Sequence, residues 1–171
     1  MRARVLKAIF VAAALCLPAI GGPALAQGSS FGFGQPGQSR DAPVEITADR
    51  LDINRAEGTV VFEGNVRLSQ DSVVLTASRL DALYEKVEGA PDRLERVIAT
   101  GDVVVIDGQT VAEAERAVYT IADARVEMTG EVLVVENDVA LAGDRFVIDL
   151  DSGQGQMFGR VRTVLNPERR Q

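Results

Sequence analysis

The sequence contains no histidine and no tryptophan, and its single cysteine is Cys16. Without histidine there is no imidazole to ligate a metal, to serve as a general base or to complete a Ser-His-Asp triad. One cysteine excludes an intramolecular disulfide and a cysteine-rich zinc site. Aromatics make up only 5% of the 171 residues. Basic side chains are the minority, 18 Lys+Arg against 25 Asp+Glu, for a net charge of -7. That balance disfavours a nucleic-acid backbone as partner. Carboxylate, lysine, tyrosine and serine chemistry remain open, and no cofactor or metal is expected.

Long apolar runs are also scarce. The main one, Ala8 to Leu17, follows a basic head of Arg2, Arg4 and Lys7. Pro18, Gly21, Gly22 and Pro23 then break it, and Ala24-Leu25-Ala26 has the small-x-small form of a cleavage site. Residues 1–26 therefore read as a secretory signal peptide. The run is short for a membrane anchor. Leu15 before Cys16 does not suit a lipoprotein, so Cys16 is expected to leave with the signal. Cleavage near Ala26 leaves 145 residues with 15 basic and 25 acidic side chains and no cysteine. This fits export to an oxidising compartment such as a bacterial periplasm. Residues 27–42 are rich in Gly, Ser, Gln and Pro and read as a flexible leader. A folded domain is expected over 43–167, with a tail at 168–171.

That domain is organised by a repeat. Phe62-Glu63-Gly64-Asn65-Val66-Arg67-Leu68 is echoed around Gly101, Gly130 and Gly159, at intervals of 37, 29 and 29 residues. A second element, Ala48-Asp49-Arg50-Leu51, is echoed around Arg79, Arg116 and Arg145, at intervals of 29, 37 and 29. The longer unit has eight extra residues around Lys86 to Arg93, where Gly89-Ala90-Pro91-Asp92 reads as an extended turn. A fixed period marks a repeat architecture. Within each unit the apolar period is two, as in Phe62, Gly64, Val66 and Leu68, which means half-buried strands. Residues 110–118 could pass for a short helix, but the repeat phase favours strand. A glycine in mid-strand marks a bulge, bend or close approach, and four in register suggest a stacked bend. The expected fold is all-β: repeated antiparallel strand pairs forming an open, jelly-roll-like or solenoidal sandwich.

Carboxylates such as Asp49, Asp52, Glu113, Glu115, Asp144 and Asp149 are plentiful, but no spacing marks a facing catalytic pair. Asp149 to Asp151 lacks the spacing of a calcium loop. An enzyme is not expected. Two readings remain for the interior. The aliphatic walls either close into a dry core, as in a structural or protein-binding periplasmic β-domain, or splay into a groove for an acyl chain.

The pattern resembles the periplasmic lipopolysaccharide-transport bridge proteins, the LptA or OstA-like family. The resemblance rests on Pro43-Val44-Glu45-Ile46-Thr47-Ala48-Asp49-Arg50-Leu51-Asp52, on Phe62 to Leu68, on Thr76-Ala77-Ser78-Arg79-Leu80 and on Arg160 to Pro167. It implies an open, twisted β-jelly roll that takes lipopolysaccharide acyl chains in an apolar groove. It also implies head-to-tail stacking of monomers. The first edge strand would meet an inner-membrane complex component of the same fold. The last would meet the next monomer or the N-terminal domain of the outer-membrane translocon. Cleavage near Ala26 and the end at Gln171 are expected to set the chain apart from the membrane-anchored and barrel-bearing relatives. By strand phase, the groove residues are Ile46, Phe62, Val66, Leu68, Leu75, Val103, Val105, Val132, Val134, Phe146, Ile148 and Val161. A register slip of one residue would turn any of them to the other face.

Overall fold

The structure is a computed structural model that describes residues 42–88 and 92–165. The signal peptide, the leader apart from Ala42, the Gly89-Ala90-Pro91 part of the extended turn and the tail lie outside the described residues.

The alternating segments form ten strands: β1 Glu45–Thr47, β2 Arg50–Asn54, β3 Thr59–Gln70, β4 Val73–Glu85, β5 Arg93–Asp107, β6 Thr110–Thr120, β7 Arg125–Glu136, β8 Val139–Asp149, β9 Gln154–Phe158 and β10 Arg162–Leu165. Residues 110–118 belong to β6, so the repeat phase prevails over the helix reading. All ten join one antiparallel sheet in which successive long strands are neighbours. β1 and β2 lie end to end along β3, and β9 and β10 lie end to end along β8. The sheet is thus eight bent strands side by side, matching the open jelly roll expected.

The bend has a residue-level cause. In β3, β5 and β7 the pairing register shifts at Gly64-Asn65, Gly101-Asp102 and Gly130-Glu131. At the last of these Gly130 has φ 85° and Glu131 φ 44°, two left-handed residues in succession. The extra residue forms a bulge and turns the strand. The same pair recurs at Gly159-Arg160, between β9 and β10. A side chain from the preceding strand covers each glycine: Asp49 over Gly64, Ser78 over Gly101, Glu115 over Gly130, Asp144 over Gly159. A Cβ on Gly130 would stand 2.6 Å from that of Glu115. The two repeated sequence elements are therefore the two halves of one corner joint, which is why they share a period. At the first joint Asp49 N–H donates to the Gly64 carbonyl at 2.9 Å, and Asn65 Nδ2 donates to Asp49 Oδ2 at 2.8 Å.

The line of corners divides the sheet into two wings. One wing ends in the hairpin tips at 70–73, 107–110 and 136–139, the other in those at 54–59, 120–125 and 149–154. Non-neighbouring strands make no close backbone approach among the described residues. Yet Ala112 and Val134 are 0% exposed. A lone sheet can cover such a face only with its own other wing, so the core lies between the wings. That core is rich in small residues, among them Ala77, Ala99, Ala112, Ala114 and Ala117, packed with Val103, Met128, Val132 and Phe146.

Candidate functional site: an apolar interior between two open edges

The inner face is built from cross-strand rows. On the first wing, Ile46, Leu68, Leu75, Val105, Ala112, Val134, Leu141 and Thr163 stand opposite one another in turn. At the corner, Val66 faces Ala77, Val103 faces Ala114 and Val132 faces Gly143, with Val161 in the matching place after the fourth bulge. On the second wing, Leu51, Phe62, Leu80, Ala99, Ala117, Met128, Phe146 and Met157 form one row. Ile53, Val60, Ala82, Val97, Tyr119, Val126, Ile148 and Gly155 form the next.

Each of the twelve residues selected by strand phase falls on one of these rows. Their surroundings differ. Val66, Val103, Val132, Val134, Phe146 and Ile148 are buried between the wings. Ile46, Phe62, Leu68, Leu75 and Val105 are half-buried. Val161 is 53% exposed at the last edge. Leu51 and Ile53, 50% and 61% exposed at the first edge, were not selected. The alternation Arg50-Leu51-Asp52-Ile53-Asn54 was the available signal, overshadowed by its charges.

The rim of the first wing is more polar. Gln70, Asp107, Thr110 and Glu136 share its outermost inner row with Val73 and Val139. Asp107 and Thr110 are buried there, and Ser72 Oγ donates to Asp107 Oδ1 at 3.0 Å. Buried polar groups persist where they find such partners.

The edges carry charge. Arg50 pairs with Asp52 at 2.6 Å on β2. After β9, Arg160 pairs with Asp144 at 2.8 Å, and that hydrogen bond raises the arginine's pKa above its ordinary value. Beside it, the Arg145 guanidinium lies 4.4 Å over the Phe158 ring. What the interior offers is aliphatic surface bounded by two backbone edges that are unpaired among the described residues, a setting for burying a chain or adding a strand.

A family model described as LptA/(LptD N-terminal domain) LPS transport protein matches residues 45–154. An uncharacterised protein of Rhizobium meliloti (strain 1021) is 25% identical over 125 residues, covering 71% of this chain and 67% of the relative. Among solved structures, the chain resembles LptH of Pseudomonas aeruginosa, described as the LptA-homologous periplasmic component of the lipopolysaccharide transport device. The TM-score is 0.67 at 19% identity, over 76% of this chain and 99% of that one. At that identity the likeness speaks for the fold.

Proposed function

The chain belongs to the family of LptA and LptD N-terminal-domain lipopolysaccharide transport proteins, and on that premise we propose that it is a periplasmic bridge component. It takes lipopolysaccharide acyl chains between its wings and passes them from an inner-membrane complex toward an outer-membrane translocon. The carrying observation is that apolar inner rows span the sheet, Leu51 to Met157 among them, and that exposed apolar side chains stand at both edges, Leu51 and Ile53 at the first and Val161 at the last. A chain moving along such rows stays out of water, which is worth about 0.8 kcal/mol per CH₂. No bond is made or broken.

The wings touch where Val132, Val134 and Phe146 are at most 1% exposed. An acyl chain therefore enters by exchanging wing–wing contact for wing–chain contact. The line of bulges is where the wings can part, because no ladder crosses from wing to wing. The same burial favours the second reading, a closed structural or protein-binding β-domain.

The alternation of corners supports head-to-tail stacking. Corners without a bulge alternate with bulged ones across the sheet, beginning with β1/β2 and ending with β9/β10. A second copy whose β1/β2 adds to β9/β10 continues both the alternation and the antiparallel order. The register repeated within the sheet then puts Arg50 opposite Phe158, Leu51 opposite Met157 and Ala48 opposite Val161. The first edge would meet the inner-membrane component in the same manner, and the last edge the translocon domain.

The test is a photo-reactive amino acid at Leu68, Leu75 or Val161, which are half-buried or exposed and tolerate the bulk. Lipopolysaccharide adducts at all three support transport. Protein adducts alone refute it in favour of the closed domain.

A further inference from the structure

The four repeated arginines are equivalent in sequence but not in company. Arg50 pairs with Asp52. Arg79 pairs with Asp81 at 2.6 Å and with Glu63, and the Asp81 hydrogen bond raises its pKa. Arg145 has the Phe158 ring and Glu127 at 3.4 Å. Arg116 lies between Thr100 and Thr129 in the ladder. Two residues on, Val118 stands where the first two units have Asp52 and Asp81.

Two more arginines converge on this place. Arg96, Thr120 and Arg125 are neighbours across β5, β6 and β7. At about 4.8 Å per strand, the two arginine backbones stand roughly 10 Å apart, a span that two long side chains can close around one anion. Arg96 Nε is buried and without a hydrogen-bond partner, and its ion pair with Glu95 is long at 3.5 Å. Arg125 faces Asp149 across the ladder. That carboxylate accepts from Ser152 N–H at 2.8 Å and Ser152 Oγ at 2.9 Å through Oδ1, and the charge of Arg125 acts on it without a direct ion pair. Among the described residues, no carboxylate lies within ion-pair distance of Arg116 or Arg125. Arg96, Arg116 and Arg125 line an outer-face cleft of about 420 Å³ around Val118 and Thr120. Asp123 and Glu127 also line it, and Glu127 is drawn to Arg145.

We propose that this cleft is an anion site that takes a phosphate group. Guanidinium groups are suited to it, since they bind phosphate oxygens through paired, charge-assisted hydrogen bonds. In a chain with a net charge of -7, three arginines lining one cleft, two of them without an ion-pair partner among the described residues, form a local basic patch where an anion is favoured. The cleft lies at the 120–125 tip of the second wing. A lipid with its acyl chains between the wings would bring its phosphorylated sugar headgroup over this rim. Assigning the phosphate to a headgroup rests on the transport reading, whereas the phosphate chemistry also fits the free ion.

The experiment has two arms, both on the intact protein. In the first, inorganic pyrophosphate is titrated while the arginine Nε–H signals are followed by NMR. Signals of Arg96, Arg116 and Arg125 should shift together, with Arg50 and Arg79 still. Uniform shifts, or none, overturn the site. In the second, binding of diphosphorylated and monophosphorylated lipid A is compared between wild type and the R116Q/R125Q double variant, with thermal unfolding as a folding control. Charge-assisted hydrogen bonds of this kind predict about a tenfold loss for the diphosphorylated lipid, and a smaller one for the other. Equal binding by both proteins, with the pyrophosphate shifts present, overturns the headgroup assignment in favour of free phosphate. If wild type binds neither lipid while those shifts persist, the transport reading fails and the phosphate site stands.

Discussion

The junction between copies can be tested residue by residue, because residues 27–171 contain no cysteine to interfere. The proposed register sets Ala48 of one copy opposite Val161 of the next, as Ala77 stands opposite Val66 within the sheet. Directly opposed strand residues have Cα atoms about 4.5–5.5 Å apart, inside the roughly 4.4–6.8 Å that a disulfide spans. A slip of two residues keeps the face but opens the distance to about 7–8 Å, outside that window. A slip of one sends the side chains to opposite faces. The protein carrying both Ala48→Cys and Val161→Cys should therefore form a reducible ladder of multimers under mild oxidation. Each single variant should give at most a dimer. Ala48→Cys with Thr163→Cys, two positions away, should give little. The assay is a non-reducing gel across a concentration series. A ladder from the slipped pair matching or exceeding that of the aligned pair would refute the register. No ladder from either pair, at concentrations where light scattering shows multimers, would refute the edge pairing itself.

Three further outcomes follow from the fold. Gly130→Ala puts a Cβ into a left-handed position already covered by Glu115, so urea unfolding should show a loss of at least about 1–2 kcal/mol. Phe146→Ala empties a fully buried place and should cost about 3–5 kcal/mol by the same measurement. Hydrogen bonds from Ser152 hold the Asp149 carboxyl below the usual range. Its contribution to stability is therefore present above the unfolded value of about 3.9 and lost as pH falls through the lower folded value. Asp149→Asn should remove that component, so the urea midpoint should fall less between pH 5 and pH 2 than in wild type.

The strands were legible because alternation and the glycine period both survive in one dimension. The corners were half legible. Four glycines in phase announced a bend, but nothing announced that Ser78 and Arg79 would both face outward, so that Ala77 and Leu80 both face in. Two consecutive outward residues break the period of two, and a period-two reading reaches only one side of them. Leu80 and Ala117 were missed for that reason, although they belong to the same row as Phe62 and Phe146. The arginine cleft was illegible for another. Arg96, Arg116 and Arg125 come from three strands, and only their pairing shows that Thr120 stands between two of them. The asymmetry among the repeated arginines was open to inspection, since Arg116 alone combines Val118 two places on with Thr100 and Thr129 in the flanking strands.

The corner joint also acts as a ruler. Each period adds one strand with a bulge and one without, so the sheet can grow or shrink by a whole period with both terminal edges unchanged. Repeating residues 101–129 once should lengthen the span by two strand widths, about 10 Å, and leave Asp49 at one end and Gly159 at the other. Inserting a single bent strand would instead reverse the direction of one edge and present a bulge to a bulge. Length in this architecture is therefore counted in pairs, and the gap a single subunit can cross is quantised by its number of glycine corners.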